Sequence, residues 1–221
     1  MHHLSPEFIA IRRDLHAHPE LAFEERRTSD LVAERLTAWG YQVHRGLGGT
    51  GVVGALRKGS GTRALGIRAD MDALPILEKT GLPYASRHAG KMHACGHDGH
   101  TAILLCAARH LAESVDFNGT LHLIFQPAEE NEGGALRMVD EGLFTQFPCD
   151  EIYALHNSPG LPVGQLAINP GPLLASFDRA TVTLRGRGAH GAMPHHGIDP
   201  MQCAASITLG LQSIVSREID A

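Results

Sequence analysis

Short apolar runs alternate with longer helical segments between residues 6 and 168, and this alternation is the strongest constraint on the fold. Runs of strand length lie at 41–44, 51–56, 64–69, 120–125, 152–155 and 165–168. Segments 6–18, 24–39, 97–111 and 134–141 are interpreted as helices. Strands that alternate with helices predict the α/β class, here a three-layer αβα domain whose mostly parallel sheet is covered by helices on both faces.

The pattern changes after residues 169–172, where the sequence Asn-Pro-Gly-Pro separates two regions. Beyond it, the sequence predicts a strand over 177–184, a polar loop rich in Gly and His over 185–197, and an amphipathic helix over 199–217. One β-α unit cannot bury its apolar face alone. We therefore expect a truncated chain, with a main domain over residues 1–177 and part of a second domain over residues 178–221.

Composition argues against several classes of function. The chain of 221 residues has a formal net charge of -5 and scattered basic residues, so no nucleic-acid-binding surface is predicted. No apolar stretch approaches membrane-spanning length and the N-terminus lacks a secretion signal, so we expect a cytoplasmic protein with no membrane partner. The four cysteines are widely spaced in a chain large enough to need no disulfides, so we expect reduced thiols.

The segment from His93 to His100 contains three histidines, one cysteine and one aspartate. Imidazole, thiolate and carboxylate are the side-chain groups that bind zinc and similar divalent cations. Glycines at positions 96 and 99 allow the backbone to turn Cys95 and His97 toward one ion. The segment is interpreted as half of a metal site, and a His-rich loop that binds nothing is the alternative.

Other candidate ligands follow the predicted strands. Asp70 and Asp72 come after 64–69, Glu129 and Glu130 after 120–125, and His156 after 152–155. The carboxyl ends of the strands are where α/β proteins build their sites. Two adjacent carboxylates point in different directions, so one can bind a metal while the other addresses a water. Each candidate alone has a structural alternative: an Asx turn for either aspartate, a solvated acidic turn for the two glutamates and a structural role for the histidine. Together they indicate metal-assisted hydrolysis.

Two segments are rich in glycine. Gly46–Gly51 fits the G-x-G-x-x-G pattern of dinucleotide-binding loops, but a strand rather than a helix follows it, so we predict a hairpin turn. His190 lies between glycines in the second segment, 186–197. His195 and His196 in the same segment are interpreted as solvated loop histidines.

Five blocks of the sequence resemble the hippurate hydrolase and N-acyl-amino-acid amidohydrolase family. The blocks are residues 11–21, 68–75, 92–101, 126–130 and 190–200, and the resemblance covers the whole chain. This family includes plant auxin-conjugate hydrolases and is a branch of the aminoacylase and carboxypeptidase-like di-metal peptidases.

The resemblance implies a dinuclear amidohydrolase. Its two divalent ions, which could be zinc, manganese, cobalt or nickel, would be bound by Cys95, His97, Glu130 and His156. Glu129 would act as general base and acid, taking a proton from water and giving it to the leaving amine of an N-acyl amino acid such as hippurate. His190 would belong to a ferredoxin-like lid domain and reach toward substrate, often in a partner subunit's site, so a homodimer or homo-oligomer is expected if the lid is complete.

Two departures from the family pattern affect the expected site. The wider superfamily has a metal-binding histidine where Asp70 stands, so Asp70 and Asp72 are expected to support the ligands. Asp98 and His100 are expected to support the site or to begin the following helix, and His93 has no assigned role. Family members also continue beyond residue 221 with a further metal-binding histidine.

Two other interpretations are considered. The chain could be a non-catalytic fragment that binds metal weakly or needs a partner chain. The second interpretation is a structural zinc site at Cys95 and His97. Such sites usually need four ligands, and only these two lie close together in the sequence.

Overall fold

The computed structural model describes residues 6–130, 132–174 and 179–218. The chain divides into two compact units, Met1–Leu161 and Pro162–Ala221. None of the helices in the described ranges has the length and apolar character needed to cross a membrane.

Helices and strands alternate in the first unit, as predicted. Its elements are α1 (Pro6–Ala17), α2 (Arg26–Ala38), β1 (Gln42–Arg45), β2 (Val52–Lys58), β3 (Ala64–Asp70), α3 (His97–Glu113), β4 (Gly119–Gln126), α4 (Gly134–Asp140), α5 (Leu143–Gln146) and β5 (Glu151–Ala154). The first five predicted strands and the four predicted helices all form. α5 was not predicted, because four residues are too few to show a helical period.

The five strands form one sheet in the order β1-β2-β4-β3-β5. β3 pairs in parallel with β4 and β5, whereas β2 is antiparallel to β1 and β4. Of the strands in the described residues, four therefore run in one direction and β2 runs in the other. The predicted α/β class with a mostly parallel sheet is confirmed.

The antiparallel β1-β2 pair is joined by the glycine-rich segment 46–51. Gly46, Gly48 and Gly49 have φ values of 99°, 65° and 90°, which L-residues with a side chain rarely adopt. No helix follows this turn, because β2 begins at Val52. The hairpin prediction is confirmed, and the segment lacks the helix N-terminus that a dinucleotide-binding loop requires.

Alternating residues of the central strands supply two apolar cores. One face of the sheet, with Val52 and Phe125, packs with Leu15 of α1, Leu36 of α2 and Leu105 of α3. The opposite face packs with the fourth and fifth helices through Val53, Ile124, Met138 and Leu143. Each large side chain buried in this way contributes about 1.5–3 kcal/mol. The result is the three-layer αβα arrangement.

The parallel strands align their carboxyl ends at one edge of the sheet. Asp70, the last residue of β3, is level with Gln126, the last residue of β4, and Arg68 is level with Ala154 at the end of β5. The loops that carry the candidate ligands leave the sheet at this edge, so residues far apart in sequence can meet there.

The second unit contains one long helix, α6 (Pro200–Ser213), followed by a π-helical turn, Ile214–Glu218. The Asp199 side chain accepts the backbone N–H of Met201 and caps α6, as suits a helix N-terminus. This helix matches the predicted segment 199–217.

The strands predicted in the second unit do not form in its described residues. Residues 165–168 and 179–184 have no strand, and only an isolated bridge joins Arg187 to Ile198. A strand needs a hydrogen-bonded neighbour, and none of the described residues of this unit supplies one to these segments. Positions 177 and 178, which include the start of the second of these strands and the predicted domain boundary, lie outside the described residues.

Phe125 on β4 is fully buried in the first core. Replacing it with alanine removes the ring and leaves a cavity, so we expect the free energy of unfolding to fall by about 3–5 kcal/mol. Chemical denaturation would measure this change. Leu136→Ala on α4, where the leucine is 66% exposed, is the control and should change stability by less than about 0.5 kcal/mol. Similar losses for both variants would contradict this description of the core.

Candidate metal centre

His97, the first residue of α3, lies at the middle of the candidate site, and its side chain is fully buried. It follows Gly96, whose φ is 98° and where a Cβ would lie 2.4 Å from Oδ1 of Asn157. Nδ1 of His97 is 3.2 Å from Oδ1 of Asp72, so it donates a hydrogen bond to that carboxylate. Nε2 is buried and has no hydrogen-bond partner among the described residues. A buried, unpartnered imidazole nitrogen whose other nitrogen is held by a carboxylate has the arrangement of a metal ligand.

The other three predicted ligands lie close to His97. Ligand atoms of Cys95, His97 and His156 all lie within 4.8 Å of one another, with Sγ of Cys95 3.4 Å from Nε2 of His156. Nε2 of His97 is 3.9 Å from Oε1 of Glu130 and 3.7 Å from Oε2 of Glu129. The thiol, two imidazoles and two carboxylates form a donor set that fits zinc or a similar divalent cation. Their role as ligands remains a prediction.

Asp72 holds two of these residues in position. Its Oδ1 accepts from His97, and its Oδ2 accepts the backbone N–H of Glu130 at 2.9 Å. Burial acts to raise the pKa of Asp72, but the hydrogen bonds from His97 and from backbone N–H groups outweigh burial and lower it. An ionised, fixed carboxylate behind a histidine is the usual support of a metal ligand.

Asp70 forms a second hydrogen-bonded group beside the first. Its carboxylate accepts from Nδ1 of His100 at 2.7 Å and from Nη1 of Arg68 at 2.8 Å. Nε2 of His100 in turn accepts the backbone N–H of Asn157 at 3.0 Å, which joins α3 to the loop that carries His156. Burial opposes ionisation, but these hydrogen bonds and nearby positive charges lower the pKa of Asp70 to about 2. Asp70, His97 and His100 also offer ligand atoms within 4.8 Å of one another.

The remaining acidic groups favour a cation. Burial raises the pKa of Cys95 to about 12, and the negative charges of Glu130, Glu129 and Asp70 add to the effect. Burial also raises the pKa of Glu129, although the charge of His97 opposes this rise. The ionised forms of these acidic groups therefore repel one another within one small volume. A divalent cation would relieve this repulsion and would favour the thiolate form of Cys95.

Three further residues from the sequence prediction lie in other surroundings. Oδ2 of Asp98 is 2.7 Å from Nε of Arg12 and 2.8 Å from Nδ1 of His16, so Asp98 joins α3 to α1. His93 is buried, and burial lowers its pKa to about 4. His190 lies in an exposed turn of the second unit, where its Nδ1 accepts the N–H of Ala192.

Arg68 and Asn157 also belong to the site, although no sequence pattern identified them. Both lie at the carboxyl edge, Arg68 within β3 and Asn157 directly after His156. Their hydrogen bonds to Asp70 and His100 became evident only when the strands were paired. Cys95, Cys106, Cys149 and Cys203, all within the described residues, are free thiols.

The sheet order and the helices on both faces define an α/β domain, and a cluster of potential metal ligands lies at the carboxyl edge of its sheet. Residues 66–219 match the sequence model of one protein family, which is described as peptidase family M20/M25/M40. The chain therefore belongs to this peptidase family.

Two relatives and one solved structure indicate the branch. Over 217 residues the chain is 48% identical to a hippurate hydrolase of Campylobacter jejuni, covering 98% of this chain and 56% of the relative. It is 45% identical over 218 residues to an N-acetyl-L-cysteine deacetylase of Bacillus subtilis, covering 98% and 52%. A dinuclear metal-binding peptidase of Bacillus subtilis matches with 40% identity and a TM-score of 0.72, covering 76% of this chain and 47% of that one. The chain spans about half the length of these relatives.

Asp72→Asn tests the support of the two candidate ligands. The asparagine NH₂ group cannot accept a hydrogen bond, so either His97 or the Glu130 backbone loses its partner. We expect the affinity for zinc, measured by calorimetric titration, to fall about 10–100-fold. Asp140→Asn, at an exposed position at the end of α4, is the control and should leave the affinity unchanged. Equal affinities of wild type and Asp72→Asn would argue against this support.

Proposed function

We propose that this protein is a dinuclear metal-dependent amidohydrolase that cleaves the amide bond of N-acyl or N-aroyl amino acids such as hippurate. The observation that carries the proposal is the buried, unpartnered Nε2 of His97, which faces one thiol, one further imidazole and two adjacent carboxylates. Relatives named hippurate hydrolase and N-acetyl-L-cysteine deacetylase support the substrate class.

Cys95, His97, Glu130 and His156 would hold the cations. Bound divalent ions supply Lewis-acid activation of water and stabilise negative charge on the carbonyl oxygen. A neighbour that is a dinuclear metal-binding peptidase supports two ions rather than one. The thiolate favours zinc, while the imidazole and carboxylate groups also suit manganese, cobalt or nickel.

Glu129 would move the proton. Its side chain is 42% exposed, and its Oε2 lies 3.7 Å from Nε2 of His97, so it borders both the donor cluster and solvent. Its raised pKa makes it a better base near neutral pH than an ordinary glutamate. The carboxylate would take a proton from the attacking water, and the resulting carboxylic acid would give this proton to the leaving amine nitrogen.

The second unit and the setting of the protein complete the proposal. His190 would contact the substrate carboxylate or the developing oxyanion, an assignment that rests on the family resemblance. The second unit would form part of a lid and of a homodimer interface, and the protein would act in the cytoplasm.

A non-catalytic metal-binding chain is the second candidate. The donor cluster also favours it, because Cys95, His97 and His156 offer ligand atoms within 4.8 Å of one another and could bind a cation in the absence of catalysis. It would bind a divalent cation through the same residues without turning over substrate.

Glu129→Gln tests the proton-transfer assignment. The amide cannot accept a proton from water, so we expect kcat on hippurate or N-acetyl-L-cysteine to fall about 10²–10⁴-fold while metal content is unchanged. Purified protein would be assayed with manganese or zinc and with a chelator. Glu132→Gln, which changes an exposed carboxylate nearby, is the control.

The two candidate functions give different results in this assay. Metal-dependent turnover by the wild type supports the amidohydrolase. Stoichiometric metal binding without turnover supports the non-catalytic chain. Near-normal turnover by Glu129→Gln with full metal content would exclude Glu129 as the proton carrier.

A further inference from the structure

We propose that Glu25, a buried residue directly before α2, is a positioning residue that fixes the turn carrying Glu129 and Glu130. Glu25 lies outside the predicted site, and no sequence pattern indicates a role for it. The inference rests on the proposed function, because it takes Glu130 as a ligand and Glu129 as the proton carrier.

The Glu25 carboxyl group joins three separate segments. It is 0% exposed. Its Oε1 accepts the backbone N–H of Ala128 at 2.9 Å, and its Oε2 accepts the hydroxyl of Thr50. Burial raises the pKa of Glu25, and these hydrogen bonds oppose the rise. A buried carboxyl group is unfavourable unless it is partnered, and here each oxygen has a donor.

The residue that Glu25 holds has an unusual backbone conformation. Ala128 has a φ of 51°, in the left-handed region that L-residues other than Asn and Asp rarely adopt, and it is 0% exposed. Its C=O accepts the N–H of Gly134 at 2.9 Å. A Cβ at Gly134 would lie 1.9 Å from the C=O oxygen of Pro127, so only glycine allows this approach. A strained conformation of this kind persists only where its surroundings hold it, and Glu25 provides the bond to its N–H.

The two glutamates of the site follow directly after Ala128. The N–H of Glu130 is held by Asp72, as described above. The backbone is therefore anchored at residues 128 and 130, on either side of Glu129. Without the Glu25 anchor, the turn would lose the bond at its first residue, and Glu129 and Glu130 could move away from Nε2 of His97.

Cobalt binding tests this inference without requiring turnover. The charge-transfer absorption band that a thiolate gives when it binds Co²⁺, here that of Cys95, reports binding in the purified protein. We expect Glu25→Ala and Glu25→Asp to lower Co²⁺ affinity about 10–100-fold, since the shorter side chains cannot reach both Ala128 and Thr50. Glu25→Gln should retain near wild-type affinity, because its amide oxygen can accept the hydrogen bond from Ala128 and its NH₂ can donate one to Thr50. Glu24→Ala, which removes a neighbouring side chain that is 61% exposed and paired with Lys91, is the matched control.

Thermal unfolding of the same variants separates positioning from general stability. Reduced Co²⁺ affinity in folded Glu25→Ala or Glu25→Asp, with rescue by Glu25→Gln, supports the proposal. Lower stability with unchanged affinity and an unchanged band would overturn it. If neither the Ala nor the Asp variant folds, Glu25 serves the stability of the whole domain and the proposal is also overturned.

A wild type that binds no Co²⁺ would contradict the proposed metal centre but not the positioning of the turn. Amide hydrogen exchange then decides the second question. Selective loss of protection at Ala128 and Glu130 in Glu25→Ala supports positioning, and unchanged protection at both amides overturns it.

Discussion

The parallel pairing of β3 with β4 on one side and β5 on the other determines where every residue of the candidate centre lies. In this register Asp70 is level with Gln126, and Arg68 is level with Ala154. The chain leaves all three strands at the same edge, so the loops carrying Asp72, Glu130 and His156 must meet there. A shift of β3 by one residue against β4 would turn Asp70 to the other face of the sheet and separate it from His100. The apolar cores on both faces therefore stabilise the geometry of the centre as well as the fold.

Acidic groups are concentrated at this edge, and they fall into two sets that differ in how fully hydrogen bonds compensate their charge. Asp70 and Asp72 are buried, and each is compensated by a histidine together with Arg68 or backbone N–H groups. Among the described residues, Cys95, Glu129 and Glu130 have fewer hydrogen-bond donors than Asp70 and Asp72, although Nε2 of His97 lies within 4 Å of both glutamates. The buried pair thus fixes the predicted ligands, while the less compensated group would attract a cation. Removing a buried partner leaves an uncompensated polar group, which makes these supporting residues as sensitive to substitution as the ligands.

Much of this arrangement could be predicted from the sequence, since it depends on local patterns. Helical and strand periods located the elements of the first unit, and polar residues after strands identified Asp70, Glu130 and His156. Contacts that depend on tertiary structure could not be predicted. Glu25 contacts Ala128 across 103 positions, and no local pattern indicates that a glutamate before α2 points into the core. The strands expected at 165–168 and 177–184 show the opposite failure. In the described residues, 165–168 and 179–184, an apolar pattern does not form a strand, because no neighbouring strand is available to pair with.

The contrast among the carboxyl groups also bears on which of them could carry a proton. Asp70, with a pKa of about 2, is too weak a base to accept a proton from water near neutral pH. The pKa of Asp72 is also lowered, and its two oxygens accept hydrogen bonds from His97 and from the Glu130 backbone. Glu129 differs in both respects, because burial raises its pKa and its side chain is partly exposed. Acid-base roles follow from environments that move the pKa values of neighbouring groups apart. By this criterion Glu129 is better suited to proton transfer than Asp70 or Asp72, and the hydrogen bonds at residues 128 and 130 fix the backbone on either side of it.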